Sequence, residues 1–309
     1  MNLKSRLLVV GMILFATGNV ASQEANTYKL YYLGGQSNME GFGYTKELAE
    51  AMATVSEDVM IFTGQMALDN KTHGGVGVWQ PLQPGFGTGF KTDGTSIKLS
   101  DRFGPELLFG QTRAAAAAGT RIAIIKYALG GSGLAKGVGY GNWHPDFDEG
   151  AGLNQYDHAL KTLRNAFAAT DIDGDGVPDR LVPSGIVWMQ GEADAFDSQA
   201  AADEYGANLE RLMGLLRAAL RVDDLPVVIG KITDSGMSED GSVMDYIGTV
   251  QRAQQDFVAS DTCAAYVTVT DDLTYLDDGW HYDSQGFVRL GVAFAKAMKK
   301  LEETCAPSR

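Results

Sequence analysis

Six short and almost uninterrupted apolar runs, set between longer stretches of helical pattern, constrain this chain more than any other feature. The runs are Lys29–Leu33, Val59–Phe62, Arg121–Tyr127, Gly185–Met189, Val227–Ile232 and Tyr266–Val269. A strand that is apolar on both sides has to be covered on both sides, which is the condition of a buried parallel sheet. Pro105–Ala118, Tyr156–Ala169, Ala200–Ala219, Val243–Ser260 and Ser284–Glu303 read as helices. Alternation of the two predicts a doubly wound α/β fold, three layers with a central parallel sheet. No repeat or low-complexity linker divides the chain. The glycine-rich stretch Gly64–Gly94 reads as a long surface insertion.

The first 22 residues stand apart. Lys4 and Arg6 are followed by the apolar stretch Leu7 to Phe15 and by small residues at Ala21 and Ser22. This is the pattern of an export signal, leaving residues 23–309 as one secreted or periplasmic domain. The stretch is too short to span a bilayer and no other segment is apolar enough, so no membrane insertion is expected. The chain carries a formal charge of −14, and without Lys4 and Arg6 the balance is 23 basic to 39 acidic residues, or −16. Such a charge opposes binding to nucleic acid or to an anionic membrane. Cys263 and Cys305 are the two cysteines. In an exported protein they read either as one disulfide or as two buried thiols. A last helix running back from the carboxyl edge of the sheet would end Cys305 near Cys263, which favours the disulfide.

Ligands of such sheets bind beyond the carboxyl ends of the strands, and four polar segments follow strands here. Gly34-Gly35-Gln36-Ser37-Asn38-Met39 follows the first. Ser37 there is either a helix cap or a nucleophile beside free N–H groups. Asp278-Gly279-Trp280-His281 precedes the last helix, and its spacing lets one tight loop hold a base and the acid that orients it. An acidic solvated loop is the plainer alternative. Trp188-Met189-Gln190-Gly191-Glu192-Ala193-Asp194 offers the Gln190 amide to an oxyanion and Glu192 to His281 or a sugar hydroxyl. Ala128-Leu129-Gly130-Gly131-Ser132-Gly133 offers a backbone N–H, with Gly131 favoured. Of the other histidines, His158 reads as structural, and His73 and His144 lie in glycine-rich loops. Together the segments set a nucleophile, a base, an acid and oxyanion donors at one sheet edge.

Gly-Gln-Ser-Asn-Met, Trp-Met-Gln-Gly-Glu-Ala-Asp and Asp-x-x-His, in this order over residues 28–303, resemble the SGNH-hydrolase superfamily. Within it they are similar to the branch of carbohydrate esterase family six and the sialate O-acetylesterases. The resemblance implies a flavodoxin-like SGNH fold and an esterase with Ser37 as nucleophile, His281 as base and Asp278 as acid. It also implies oxyanion donation by Ser37, Gly131 and Gln190. Gln36, Asn38 and Glu192 are candidates for substrate contact or support. No cofactor takes part in that chemistry, and the expected partner is an acetylated polysaccharide or sugar, acetylated xylan before acetylated sialic acid. Trp79, Tyr140, Trp143 and Trp280 suit stacking on sugar rings. A lipid or thioester hydrolase, and a non-catalytic carbohydrate-binding protein, are the competing readings. One departure is Asp171, Asp173, Asp175 and Asp179, spaced as in a calcium loop with Gly176 at its sixth position but Val182 at its twelfth. It reads as a structural calcium site or an acidic turn.

Overall fold

The computed structural model describes residues 25–116 and 119–305. The export signal expected over 1–22, and Ala118 as the end of the first long helix, lie outside the described residues. One sheet of seven strands forms the centre: β1 Thr27–Gly35, β2 Ser56–Thr63, β3 Trp79–Leu82, β4 Arg121–Ala128, β5 Arg180–Met189, β6 Val227–Gly230 and β7 Ala264–Val267. Their order is β7-β6-β5-β1-β4-β2-β3. Every neighbouring pair is parallel except β2 with β3. The antiparallel edge strand comes from Gly64–Gly94, so that stretch is not simply an insertion. Its Trp79 is buried and donates its indole N–H to the Ala166 carbonyl at 3.0 Å.

The helices are α1 Ser37–Glu40, α2 Pro105–Ala115, α3 Gln155–Ala168, α4 Glu192–Asp197, α5 Gln199–Leu220, α6 Ile247–Ser260 and α7 Ser284–Thr304. Local chemistry sets their starts. Pro105 opens α2, Asn154 and Asp157 close a capping box on α3, and Ser198 and Asp283 cap α5 and α7. Successive β4 residues point to opposite faces. Ile124 and Lys126 meet α2 on the side that α7 also covers. Tyr127 packs on the other face against Trp143 and His158 of α3, with Trp143 continuing onto Trp188. The chain leaves β1 toward β2 and β4 on one side and returns to β5 on the other. The crevice at that reversal lies beyond Gly35, between β4 and β5.

Cys263, just before β7, and Cys305, just after α7, are joined, with Cα atoms 5.4 Å apart and a sequence separation of 42. By loop-closure entropy alone, a bridge over that span stabilises by about 4 kcal/mol. It ties the end of α7 to the amino edge of the sheet, opposite the crevice.

Lys126 is the polar exception inside β4, only 2% exposed. Its ammonium donates to Glu106 Oε2 at 2.6 Å, to the Glu40 carbonyl at 2.8 Å and to the Phe86 carbonyl at 2.9 Å. Three donors meet three acceptors, so the buried charge is paired and fully bonded. Lys126→Met leaves the Glu106 carboxylate buried without its partner. It is expected to cost about 3–5 kcal/mol in urea-induced unfolding; a loss under about 1 kcal/mol would show the pair to be dispensable.

Candidate active site

At the end of β1 the backbone makes a turn that only glycine permits. Gly35 has φ +147°, and a Cβ there would lie 1.9 Å from the Met189 carbonyl oxygen of β5. The next residue, Gln36, stands at the cap of α1, and its carbonyl accepts the N–H groups of Met39 and Glu40. Ser37 is therefore the first helical residue and not a cap; among the described residues its hydroxyl has no hydrogen-bond partner. The Gln36 side-chain oxygen accepts the N–H groups of Gly191 and Ala193, each at 3.3 Å, and turns its own NH₂ away from them.

His281 and Asp278 meet as the spacing requires. His281 Nδ1 lies 2.8 Å from Asp278 Oδ2, while Asp278 Oδ1 accepts the backbone N–H groups of Trp280 and His281 at 2.8 and 3.0 Å. Partial burial works against the charge on Asp278, but these three bonds outweigh it and hold the carboxyl below the ordinary Asp value. The imidazole stacks on Phe42, ring centres 3.5 Å apart and planes 3° from parallel. With Nδ1 bound to the carboxylate and the plane set by Phe42, Nε2 is the nitrogen left for a proton transfer.

Ser37 and His281 line one cleft of about 620 Å³, together with Gln36, Phe42, Gly130, Gly131, Tyr140, Phe196, Asp197 and Trp280. Tyr140 and Phe196 are exposed and Trp280 stands edge-on to Phe196, so one wall is aromatic. No Lys or Arg is among the lining residues, and Asp197 is the carboxylate among them. The Gly130 N–H is already donated to Glu40 Oε2 at 2.8 Å. Gly131, at φ +66°, has an N–H that no acceptor among the described residues takes, which singles it out over Gly130.

Several expected roles are corrected. Gln190 is fully buried away from the cleft lining. Its NH₂ donates to the Ser132 carbonyl at 3.1 Å and to Asp194 Oδ2 at 2.7 Å, so both hydrogens are spent and none is left for an oxyanion. Glu192 bonds Asn38 at 2.9 Å, not His281. Trp79 and Trp143 are core residues, and of the expected stacking residues only Tyr140 and Trp280 reach the cleft. His158 is buried and structural, while His73 and His144 stay out of the lining. Asp171, Asp173 and Asp179 place ligand-capable oxygens within 4.8 Å of one another, without Asp175. Asp173 also pairs with Arg121 at 2.8 Å.

Three contributors escaped the sequence reading. Glu40, three residues after Ser37 and so on its own helical turn, is buried; burial raises its pKa despite the Gly130 bond and the nearby Lys126. Asp194 accepts the N–H groups of Leu134 and Ala135 and the Gln190 amide, and burial pushes its pKa up to about 6. Phe42 had no signal in the sequence, because its stacking depends on where a distant loop folds.

The sequence matches, over residues 27–300, the family described as carbohydrate esterase, sialic acid-specific acetylesterase. A probable carbohydrate esterase of Arabidopsis thaliana is 30% identical over 112 residues, which span 36% of this chain and 38% of that relative. A solved Arabidopsis thaliana protein superposes with a TM-score of 0.59 at 20% identity, over 91% of this chain and 100% of that one. A carbohydrate acetylesterase from Xanthomonas citri does so with 0.59 at 16% identity, over 88% and 56%. NanS does so with 0.55 at 14% identity, over 91% and 98%. At these identities the superpositions establish a shared fold. The match of residues 27–300 goes further: this chain belongs to the carbohydrate esterase family of sialic acid-specific acetylesterases.

Proposed function

We propose that this chain is a serine esterase that removes O-acetyl groups from neutral carbohydrate. Ser37 is the nucleophile, His281 the base and Asp278 the acid that orients it. The observation that carries this reading is that Ser37 and His281 face one cleft while the far nitrogen of that imidazole is bound to a carboxylate. His281 Nε2 takes the hydroxyl proton as Ser37 attacks the acetyl carbonyl. The N–H groups of Ser37 and Gly131 receive the oxyanion. The sugar alkoxide leaves with the proton from His281, and water then attacks the acetyl-enzyme and releases acetate. Ser37→Ala is expected to lower kcat on p-nitrophenyl acetate by at least about 10³-fold. Asp278→Asn is expected to lower it by about 10²–10⁴-fold, through loss of the imidazolium's partner. Turnover by Ser37→Ala at the wild-type rate would take the nucleophile role from Ser37, whereas no acetate release by the wild type from any of these esters would leave a non-catalytic carbohydrate-binding role.

Charge separates two sugar classes. A sialic acid brings a carboxylate, and the cleft offers it Asp197 and no cation. At about 4 Å in a partly screened site two like charges repel by several kcal/mol. Tyr140, Phe196 and Trp280 suit the apolar faces of neutral sugar rings. Acetylated xylan is therefore expected to release acetate at least about tenfold faster than O-acetyl sialic acid. Asp197→Arg is expected to narrow that ratio. The sialate reading has the family's description on its side, and faster release from the sialate by wild type would establish it.

The Asp171–Asp179 loop is proposed as a structural calcium site. Its carboxylates already gather the backbone, with Asp171 accepting Gly174 and Gly176 and Asp179 accepting Ile172. At millimolar calcium a site of about 10 μM affinity adds roughly 2.7 kcal/mol of stability. A rise of several degrees in Tm over the chelated protein, absent in Asp171→Ala, is the expected result; equal Tm values with calcium and with chelator would make the loop an acidic turn.

A further inference from the structure

Asn38 follows the proposed nucleophile directly, yet its side chain turns away from the cleft lining into a buried site. There its Nδ2 donates to Glu192 Oε1 at 2.9 Å and to the Trp280 carbonyl at 3.1 Å. Its Oδ1 accepts the Tyr282 N–H at 3.4 Å. The Trp280 carbonyl belongs to the peptide unit on one side of the His281 Cα, and the Tyr282 N–H to the unit on the other. One amide thus grips the backbone on both sides of the base, while Asp278 takes the His281 N–H from the opposite edge.

The amide has only one workable orientation. Turned over, it would set its oxygen against the Trp280 carbonyl and the Glu192 carboxyl, and its NH₂ against an N–H. Glu192 selects that orientation. It is 2% exposed, lines no part of the cleft, and has its second oxygen buried with no partner among the described residues. A buried carboxyl with one unmet oxygen is costly for a chain to keep unless the other oxygen has a task. Burial raises its pKa, against the bond from Asn38, which favours the carboxylate.

We propose that Asn38 and Glu192 are a positioning pair: the Asn38 amide, oriented by Glu192, holds both peptide units of His281 at a set distance from Ser37. Neither residue touches substrate. The inference rests on the serine-esterase reading above, because it needs His281 to act on Ser37. Displacing a base by about 1 Å costs on the order of 10²-fold in rate without altering substrate contacts.

The test is kcat and KM on p-nitrophenyl acetate for Asn38→Ala, Glu192→Ala and Glu192→Gln, each alone and combined with His281→Ala, with Tm recorded for each. The two alanine variants should lose about 10–100-fold in kcat with KM within about threefold. Glu192→Gln keeps an acceptor oxygen in place and should stay within about threefold of wild type. In the His281→Ala background the Asn38→Ala loss should vanish, since the pair acts through that histidine. Equal losses in both backgrounds, or a kcat unchanged by Asn38→Ala, would overturn the proposal. Should the alanine variants fail to fold, Asn38→Asp, the same shape with the donor removed, takes their place under the same two criteria. Ser37→Ala run beside them keeps the readings apart: activity that survives it sinks the assignment of Ser37 as nucleophile, whereas activity it abolishes, with Asn38→Ala fully active, sinks only the pair.

Discussion

The buried ammonium of Lys126 is the interaction on which the arrangement of the cleft depends. It rises from the middle of β4 and bonds the start of α2 through Glu106, the end of α1 through the Glu40 carbonyl, and the loop at Phe86. A helix of one turn cannot hold itself together, because nucleation costs more than its few hydrogen bonds return. α1 is such a helix, and it carries Ser37. Lys126 holds its carboxyl end, the Glu40 carboxyl reaches from it to the Gly130 N–H, and Asn38 ties its side to the His281 loop. The turn that carries Ser37 is thus fixed by bonds from three other segments.

The same economy explains the apparent misplacement of Gln190. Its amide closes a buried set with Asp194, Ser132, Leu134 and Ala135, and that set shapes the loop bearing the Gly131 N–H. Tyr205 of α5 and Gln254 of α6 bond the Gln190 carbonyl from behind. These bonds join the segments beneath the cleft into one connected layer. Above it the cleft is sparse: an imidazole against a phenyl ring, two backbone N–H groups, an aromatic wall and one carboxylate at the rim.

Much of this was legible in the sequence because it rests on local chemistry. The paired glycines before Ser37 are required where β1 passes within van der Waals contact of β5. The three-residue spacing of Asp278 and His281 is enough to bring carboxylate and imidazole together in one turn. Continuous apolar runs predicted strands covered on both faces, and six of the seven sheet strands arose from them. The exception, β3, hid in a glycine-rich stretch because an antiparallel edge strand of four residues leaves little pattern. Trp79 and Trp143 were misjudged for a related reason, as a tryptophan in an irregular segment looks the same whether that segment lies over the core or over solvent.

By itself the sequence determined the α/β/α class, the strand ends at which chemistry could gather and the triad candidates, while it favoured the pairing of Cys263 with Cys305 that the structure then settled. These follow from periodicity, from backbone freedom and from distances a few residues long. Only the tertiary structure decided which donors face the cleft and which are spent beneath it. Gln190 against Gly131, Glu192 against His281 and Phe42 against nothing visible were all settled by partners far away in the chain. A side chain with two available hydrogens serves whichever acceptors the fold brings within about 3 Å, and no local pattern records which those are.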